Sequence, residues 1–125
     1  MDVVEISEVE ESVARLGERY LRRVFTEREL DACDDGRDTL RLAACYAAKE
    51  AALKTLGLED DDAVDLRSVE VVLAGPEPEL QLTGQSARLA ERAGISRLSA
   101  SVGATHRLAS AVVLAEALTP VLGET

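Results

Sequence analysis

Residues 39–54 read Thr-Leu-Arg-Leu-Ala-Ala-Cys-Tyr-Ala-Ala-Lys-Glu-Ala-Ala-Leu-Lys and form the most strongly helical segment of the chain. Alanine has the highest intrinsic helix propensity, and Gly57 readily takes the left-handed conformation that ends a helix. We therefore predict a long helix over residues 38–56. Its many alanines suit a buried or interfacial surface better than a solvated one, so the other elements are expected to pack around it.

Shorter elements are predicted on the amino-terminal side of this helix. Residues 2–6 are a short apolar run with β-branched side chains, which indicates a strand. Ser-x-x-Glu at residues 7–10 and Thr-x-x-Glu at residues 26–29 are two capping boxes, each typical of the first turn of a helix. The second helix is expected to end near Ala32, before a solvated loop over residues 33–38. The buried stripe of the first helix is expected to consist of Val9, Val13, Leu16, Tyr20 and Val24.

The carboxy-terminal side is predicted to alternate hairpins with one helix. After an acidic turn at residues 59–62, two strands flank the Gly-Pro-Glu-Pro turn of residues 75–78. A helix closed by Gly94 follows, and then two more strands joined by residues 103–107. This order predicts one α+β domain over residues 1–125, with a small, mostly antiparallel sheet packed against the long Ala-rich helix. The predicted segments are strands 69–74, 80–82, 95–102 and 108–115 and helix 83–93, while the tail after Glu116 is left open.

The composition excludes several classes of function. The 125 residues carry 24 Asp and Glu against 14 Lys and Arg, a formal net charge of −10, and such a field repels the phosphates of duplex nucleic acid. Phe25, Tyr20 and Tyr46 are the only aromatic residues, too few for the stacking platform of a single-strand binder. No stretch approaches the ~20 apolar residues of a membrane span, and no secretory leader opens the chain. We expect a cytoplasmic protein with no nucleic-acid and no membrane partner.

The cysteine and histidine content limits the chemistry further. Cys33 and Cys45 are too few for a disulfide framework and lack the spacing of a metal site. His106 is the one histidine, so a zinc site of the usual type is nearly excluded, and a catalytic triad would rest on a residue with no nucleophile motif beside it. The remaining metal option is a hard cation held by carboxylates.

One face of the long helix carries a group of polar side chains. Tyr46, Glu50 and Lys54 are spaced four apart and share this face, while Lys49 points roughly 100° away. The simplest interpretation is an intrahelical ion pair between Glu50 and Lys54 worth ~0.3–0.5 kcal/mol. The distribution of lysine favours a functional interpretation, because both lysines of the chain lie on this helix while the other basic residues are arginines.

These residues carry a resemblance to a known family. Residues 46–54, Tyr-Ala-Ala-Lys-Glu-Ala-Ala-Leu-Lys, resemble the Ala-Ala-Lys-Glu-Ala signature of the 4′-phosphopantetheinyl transferases, specifically of their short holo-acyl-carrier-protein synthase branch. Residues 2–6, Asp-Val-Val-Glu-Ile, are similar to its opening Asp-Ile-Val-Glu-Ile, and residues 24–30 to its Val-Phe-Thr-x-x-Glu-Leu. The resemblance covers nearly the whole chain and implies the phosphopantetheinyl transferase-like α+β fold. The later matching segments are residues 69–72, 82–84 and 109–116.

The resemblance also implies an activity, a cofactor and partners. The family moves the 4′-phosphopantetheine arm of coenzyme A onto a serine of an acyl or peptidyl carrier protein, and its short branch forms homotrimers that share active sites between subunits. Carried over by position, its Mg²⁺ ligands are Asp2 and Glu50, hard oxygen donors of the kind that this ion shares with substrate phosphates. Asp2, or a metal-bound water beside it, would take the serine proton. The implied coenzyme A contacts are Lys49, Lys54, Ser101 and Thr105, and the implied catalytic residues are Asp2, Glu50 and Lys54.

The sequence departs from the family pattern at several positions. Cys45 stands where the family has an arginine before the aromatic residue, and Ala104 stands where it has the histidine of Ser-x-Ser/Thr-His-Thr. Glu8 replaces a basic residue expected to dock the carrier, and Met1 alone precedes Asp2. These departures leave a second interpretation open: a divergent homologue without transferase activity that binds a carrier protein or acts on a carrier-tethered intermediate in a specialised biosynthetic pathway.

Arginines crowd the predicted first helix. Arg15, Arg19 and Arg22 are four and three residues apart and would share one face of a continuous helix. One interpretation is a solvated face balanced by neighbouring glutamates. The other is a docking surface for the acidic helix of a carrier protein, because local positive charge within an acidic protein can steer such a partner.

Overall fold

The computed structural model describes residues 1–58 and 63–117. The predicted acidic turn at residues 59–62 and the end of the tail lie outside the described residues. No helix in these two ranges is both long and apolar enough to cross a bilayer. The elements are β1 (Asp2–Glu5), α1 (Ile6–Leu16), α2 (Glu18–Val24), α3 (Glu27–Ala32), α4 (Thr39–Thr55), a 3₁₀ turn (Leu66–Ser68), β2 (Val69–Val72), β3 (Glu79–Leu82), α5 (Gly84–Arg92), β4 (Ile95–Ala104) and β5 (Leu108–Ala117).

The five strands of the described chain form one antiparallel sheet in the order β1-β5-β4-β3-β2. The α+β class and the antiparallel sheet are therefore confirmed. Strand β1 lies at one edge, where Asp2 pairs with Ala111 of β5, and Ala111 in turn pairs with Val102 of β4. Directly paired residues point to the same face of a sheet, so these three side chains share one face.

Helix α4 packs across that face of the sheet. It contacts β1, β4 and β5, and Ala109 and Ala111 of β5 are at most 1% exposed. Most of its buried residues are alanines, whose small side chains let helix and sheet approach closely. The predicted long helix is confirmed, with the Asp38 side chain capping its first turn and Gly57 in the left-handed region after its end, at φ 90°.

The first helical region differs from the prediction. A continuous helix over residues 7–24 is wrong, because Gly17 breaks it with φ 55° and ψ −129°, a conformation that glycine adopts without a Cβ clash. The predicted Ser-x-x-Glu capping box is also wrong: Glu5 is the N-cap, without a side-chain cap, and Ser7 lies inside α1. The predicted stripe is buried or half-buried except for Leu16, which is 40% exposed at the break.

The second capping box is confirmed at the start of α3. The Thr26 hydroxyl accepts a hydrogen bond from the Glu29 N–H, and the Glu29 carboxylate accepts one from the Thr26 N–H at 2.8 Å. The glutamate of a capping box usually lies at the protein surface, but the Glu29 side chain is fully buried. The cap therefore places a carboxylate inside the core, next to α4.

Candidate active site

The amino-terminal strand brings Asp2 to the carboxy-terminal half of α4. Asp2 faces α4 because it pairs with the buried Ala111. Lys54, in the last turn of α4, donates a hydrogen bond from Nζ to Asp2 Oδ1 at 2.7 Å. The Asp2 side chain is 16% exposed and that of Lys54 is 50% exposed, so a ligand can reach the ammonium group from solvent.

Glu50 lies one turn before Lys54 on the same face of α4. Its carboxylate accepts a hydrogen bond from the Tyr46 hydroxyl, and burial followed by the charge of Glu50 raises the pKa of Tyr46. The charge of Asp2 acts on the same phenol. Burial, with Glu50 as the second cause, also raises the pKa of Tyr20 to about 12. The two carboxylates are thus within electrostatic range of one hydroxyl group, and both phenols stay protonated hydrogen-bond donors at neutral pH.

The chemistry of this donor set fits a hard cation. Carboxylate oxygens are the ligands that Mg²⁺ prefers, and it commonly takes one or two of them together with substrate phosphates. Within residues 1–58 and 63–117, no three His, Cys, Asp or Glu side chains are grouped so as to hold a metal ion. An ion bound by Asp2 and Glu50 would therefore complete its shell with ligand oxygens and water.

Lys49 points into the core instead of towards this group. Its Nζ donates hydrogen bonds to Glu29 Oε1 at 2.8 Å and to the carbonyl oxygens of Leu66 and Val69 at 2.8 and 2.5 Å. An ammonium group has three N–H donors, so the chain itself uses all of them. The side chain is also fully buried. This placement does not support the predicted contact of Lys49 with coenzyme A, because that contact would require breaking a buried ion pair.

Ser101 is separated from the carboxylates by the sheet. It pairs with Val112, whereas its neighbour Val102 pairs with Ala111 on the face that α4 covers. Because successive side chains of a strand point to opposite faces, Ser101 lies on the outer face, away from Glu50. The predicted coenzyme A contacts of Lys54 and Ser101 are therefore on opposite faces of the sheet within one chain.

The turn between β4 and β5 carries the remaining predicted contact, Thr105. Its hydroxyl oxygen accepts hydrogen bonds from the N–H groups of Arg107 and Leu108 at 3.2 and 3.1 Å, so Thr105 shapes the turn. Ala104 has no side-chain donor to offer where the resemblance places a histidine. His106 lies instead beside a cavity of about 130 Å³ near the start of α1. Ligand contacts of Thr105 and Ser101 stay predictions.

The break at Gly17 changes the arginine surface. Arg15 belongs to α1, and Arg19 and Arg22 belong to α2, so the spacing argument for one shared helix face holds only for the last two. Arg22 forms ion pairs with Glu18 at 2.6 Å and with Glu27 at 3.7 Å. Its charge is therefore partly balanced by its own neighbours, and carrier docking by Arg15, Arg19 and Arg22 stays a prediction.

Two cysteines meet in the core, which their spacing in the sequence did not indicate. Cys33 and Cys45 are free, buried thiols, and the hydrogen bond between them, together with burial, raises the pKa of Cys45. Cys45 thus fills a core position where the resemblance places an arginine, and no cation is offered from there. One signal was present: Cys45 lies one helical turn before Lys49, so both residues share the buried face of α4.

Comparison with known sequences identifies the family. The model of the 4′-phosphopantetheinyl transferase superfamily matches residues 1–112. The holo-[acyl-carrier-protein] synthase of Paramagnetospirillum magneticum is 40% identical over 124 residues, which covers 93% of this chain and 92% of that protein. The synthase of Carboxydothermus hydrogenoformans is 34% identical over 113 residues, covering 90% and 91%.

Solved structures agree with the sequence comparison. The crystal structure of Helicobacter pylori holo-[acyl-carrier-protein] synthase in complex with coenzyme A matches with a TM-score of 0.79 and 26% identity, over 92% of this chain and 96% of that chain. The synthase from Neisseria meningitidis matches with a TM-score of 0.77 and 29% identity, over 92% and 94%. The resemblance in the sequence is confirmed in both its family and its fold: the chain belongs to the 4′-phosphopantetheinyl transferase superfamily.

Proposed function

We propose that this chain transfers the 4′-phosphopantetheine arm of coenzyme A to a serine of an acyl or peptidyl carrier protein. The observation that carries the proposal is the contact between Asp2 and Lys54 where β1 meets α4, with the Glu50 and Asp2 charges both acting on Tyr46, in a chain of this superfamily. Coenzyme A as the donor is supported by the similar synthase from Helicobacter pylori, whose structure holds it. A cytoplasmic location stays a prediction from the sequence.

The residues of this chain can supply the charges that the transfer needs. The serine oxygen bonds to the phosphorus next to the pantetheine arm, the bond from that phosphorus to the bridging oxygen breaks, and 3′,5′-ADP leaves with the electron pair. Asp2 accepts the serine proton. Lys54, half-exposed beside Asp2, balances charge on the leaving phosphate.

Asp2 and Glu50 would hold Mg²⁺. When bound, this ion would supply charge neutralisation at the pyrophosphate. The part played by the chain is orientation: the Tyr46 hydroxyl lies beside the Glu50 carboxylate, and pairing with β5 places the backbone of Asp2.

Mass spectrometry of carrier proteins tests the transfer directly. The chain is incubated with coenzyme A, Mg²⁺ and several apo carriers, and each carrier is weighed. We expect one carrier to gain a single phosphopantetheinyl group, and the same carrier with its acceptor serine changed to alanine to gain nothing. A chelator added to the reaction should stop the gain. No gain on any carrier would contradict the proposal.

A second function, carrier binding without transfer, is favoured by two observations. Ala104 offers no side-chain donor, and the buried Cys45 offers no cation, where the family has histidine and arginine. A charge-assisted hydrogen bond is worth about 1.5–3 kcal/mol, so losing both would weaken binding of coenzyme A by roughly 10²–10⁴. Titration calorimetry distinguishes the two: measurable affinity for a carrier with no binding of coenzyme A would favour the second function.

Homotrimers with active sites shared between subunits are part of the proposal. Lys54 and Ser101, two of the predicted coenzyme A contacts, lie on opposite faces of one chain's sheet, and a site between two copies would allow one coenzyme A molecule to contact both. The outer face also exposes an apolar surface that assembly would cover. Its residues are Val3, Leu108, Val112 and Leu114, which are 52%, 41%, 42% and 64% exposed.

Replacing Leu114 by glutamate is expected to dissociate the trimer and to lower transfer at least about tenfold, because a carboxylate buried in an apolar interface costs several kcal/mol. Multi-angle light scattering measures the mass of the assembly. Leu40→Glu is the matched control, since Leu40 is 42% exposed on α4, outside this face. A Leu114→Glu protein that keeps the mass of three chains would exclude the outer face as the interface.

Replacing Arg19 by glutamate is expected to raise the KM for the carrier about tenfold and to leave kcat unchanged, because a charge that steers docking does not act on the reacting atoms. The effect should shrink with added salt. Arg22→Glu should be weaker, since Glu18 and Glu27 already balance Arg22. Arg88→Glu on α5 is the control with the same charge change, and equal effects of Arg19→Glu and Arg88→Glu would exclude a docking surface on α2.

A further inference from the structure

Glu29 and Lys49 form the centre of a buried network that joins four elements. Lys49 on α4 donates to Glu29 on α3 and to the carbonyl groups of Leu66, in the 3₁₀ turn, and Val69, in β2. Glu29 Oε1 also accepts the Thr26 N–H, and its Oε2 accepts the N–H of Val71 at 2.7 Å. Both charged side chains have no exposed surface.

Besides the buried leucines Leu42 and Leu53, this network is the contact of α4 that most strictly distinguishes one rotation of the helix from another. Helices pack through ridges of side chains that enter grooves on their neighbours, and the ridges of an alanine-rich helix are low. The buried residues around Lys49 on α4 include Ala47, Ala48, Ala51 and Ala52. Small, similar side chains fill space about equally well in several rotations, whereas an ammonium group with three fixed acceptors fits in one. Buried polar groups are known to specify register in this way.

The candidate active site depends on that rotation. Glu50 follows Lys49 directly and points roughly 100° away from it around the helix axis. Lys54 lies one turn further on and reaches Asp2 across the junction with β1. A turn of α4 by even a fraction of this angle moves both side chains away from Asp2, while β1 stays fixed by its pairing with β5.

We propose that Glu29 and Lys49 are a positioning pair, which fixes the rotation of α4 and thereby aims Glu50 and Lys54 at Asp2. The inference rests on the proposed function for its effect on catalysis, but its structural part does not. It assigns Lys49 no contact with the ligand, and it gives the Thr-x-x-Glu capping box a role in the active site through the buried carboxylate of Glu29.

The charge-neutral double variant Glu29→Gln/Lys49→Met tests the pair, because it removes both charges together and leaves no uncompensated charge in the core. In the full chain, we expect the nuclear Overhauser contacts between the Asp2 and Lys54 side chains to be lost. The dissociation constant for Mn²⁺, used as the probe for the metal site, should rise about tenfold or more, as for other residues that orient metal ligands. The kcat should fall by a similar factor, with the KM for the carrier unchanged.

Val113→Ala is the matched control. It removes buried apolar atoms of β5 beneath α4 without touching the ion pair, so it lowers the unfolding temperature but should keep the Asp2–Lys54 contacts, the Mn²⁺ affinity and kcat within about twofold. If the folded double variant also keeps the Asp2–Lys54 contacts, the Mn²⁺ affinity and kcat, the proposal is overturned and the pair has a purely structural role.

If the double variant does not fold, Lys49→Arg tests whether the pair fixes the rotation of α4. It keeps the positive charge and the donors but not the geometry of an ammonium group. Weaker Mn²⁺ binding and loss of the Asp2–Lys54 contacts in folded Lys49→Arg would support positioning, and wild-type values would overturn it. If the wild-type chain modifies no carrier, the proposed function fails, and the Asp2–Lys54 contacts alone still decide the positioning role.

Discussion

Glu50→Gln is expected to lower kcat for carrier modification by at least about a hundredfold, or ~2.7 kcal/mol of transition-state stabilisation, while the chain stays folded. Glutamine has nearly the same shape as glutamate but carries no charge. Its amide oxygen can still accept the hydrogen bond from Tyr46, so the local packing of α4 is kept. What is lost is one of the two carboxylates that could hold a hard cation beside the pyrophosphate.

Steady-state kinetics measure this effect, with an apo carrier that the wild-type chain modifies as the substrate. Calorimetry with Mn²⁺ should show weaker binding of the ion in the same variant. Glu91→Gln removes the same charge from an exposed position on α5 and should keep kcat within about twofold. Thermal unfolding should give all three proteins similar midpoints. Wild-type kcat in Glu50→Gln would remove Glu50 from the catalytic group, whatever its place in the structure.

The elements of the fold were predictable wherever the local signal was strong. The alanine run predicts α4, the Thr-x-x-Glu box predicts the start of α3, and the two strands predicted on either side of residues 103–107 are β4 and β5. These signals depend only on neighbours in sequence. Gly17 shows the limit: the apolar spacing continues across it, so periodicity predicts one helix, and only the backbone at φ 55° shows the break.

The candidate active site was predictable in part, for a related physical reason. Helical spacing gives the angle between Lys49 and Glu50, but not which of them turns towards the core. That choice depends on the carbonyl oxygens of Leu66, in the 3₁₀ turn, and Val69, in β2, which accept hydrogen bonds from Lys49 and are distant from it in sequence. The face of the sheet on which Ser101 lies was equally unpredictable, since a one-residue change of strand register would have moved its side chain to the other face. The Asp2–Lys54 contact joins positions 52 residues apart, and the resemblance to the family assigned both residues to one site without predicting this contact.

Lys49→Met is expected to lower the free energy of unfolding by about 3–5 kcal/mol at neutral pH, a fall of roughly 10–20 °C in the unfolding midpoint. The substitution keeps an unbranched side chain, one heavy atom shorter than that of lysine, but leaves the Glu29 carboxylate buried without its cation. Burial already raises the pKa of Glu29, and the charge and hydrogen bond of Lys49 are the main causes that oppose this rise. In the variant the pKa of Glu29 therefore rises further.

The sign of the pH dependence follows from this shift. A carboxyl group whose pKa is raised in the folded state binds a proton that the unfolded chain has released, so the free energy of unfolding falls as pH rises. The stability difference between wild type and Lys49→Met should therefore be smallest near pH 4–5, close to the ordinary glutamate pKa of ~4.3, and should grow towards pH 7.5. Urea unfolding at several pH values measures it.

The double variant Glu29→Gln/Lys49→Met separates charge from packing in this measurement. With no carboxylate left to protonate, its stability difference from wild type should lose the growth between pH 5 and 7.5, and it should recover most of the stability that Lys49→Met loses. A penalty in Lys49→Met that is the same at both pH values would instead place its cause in the two carbonyl groups of Leu66 and Val69, which lose their donor in either variant. Because both variants lack Lys49, the difference in pH dependence between them reports on the buried carboxylate of Glu29 itself, independently of any ligand, metal or carrier.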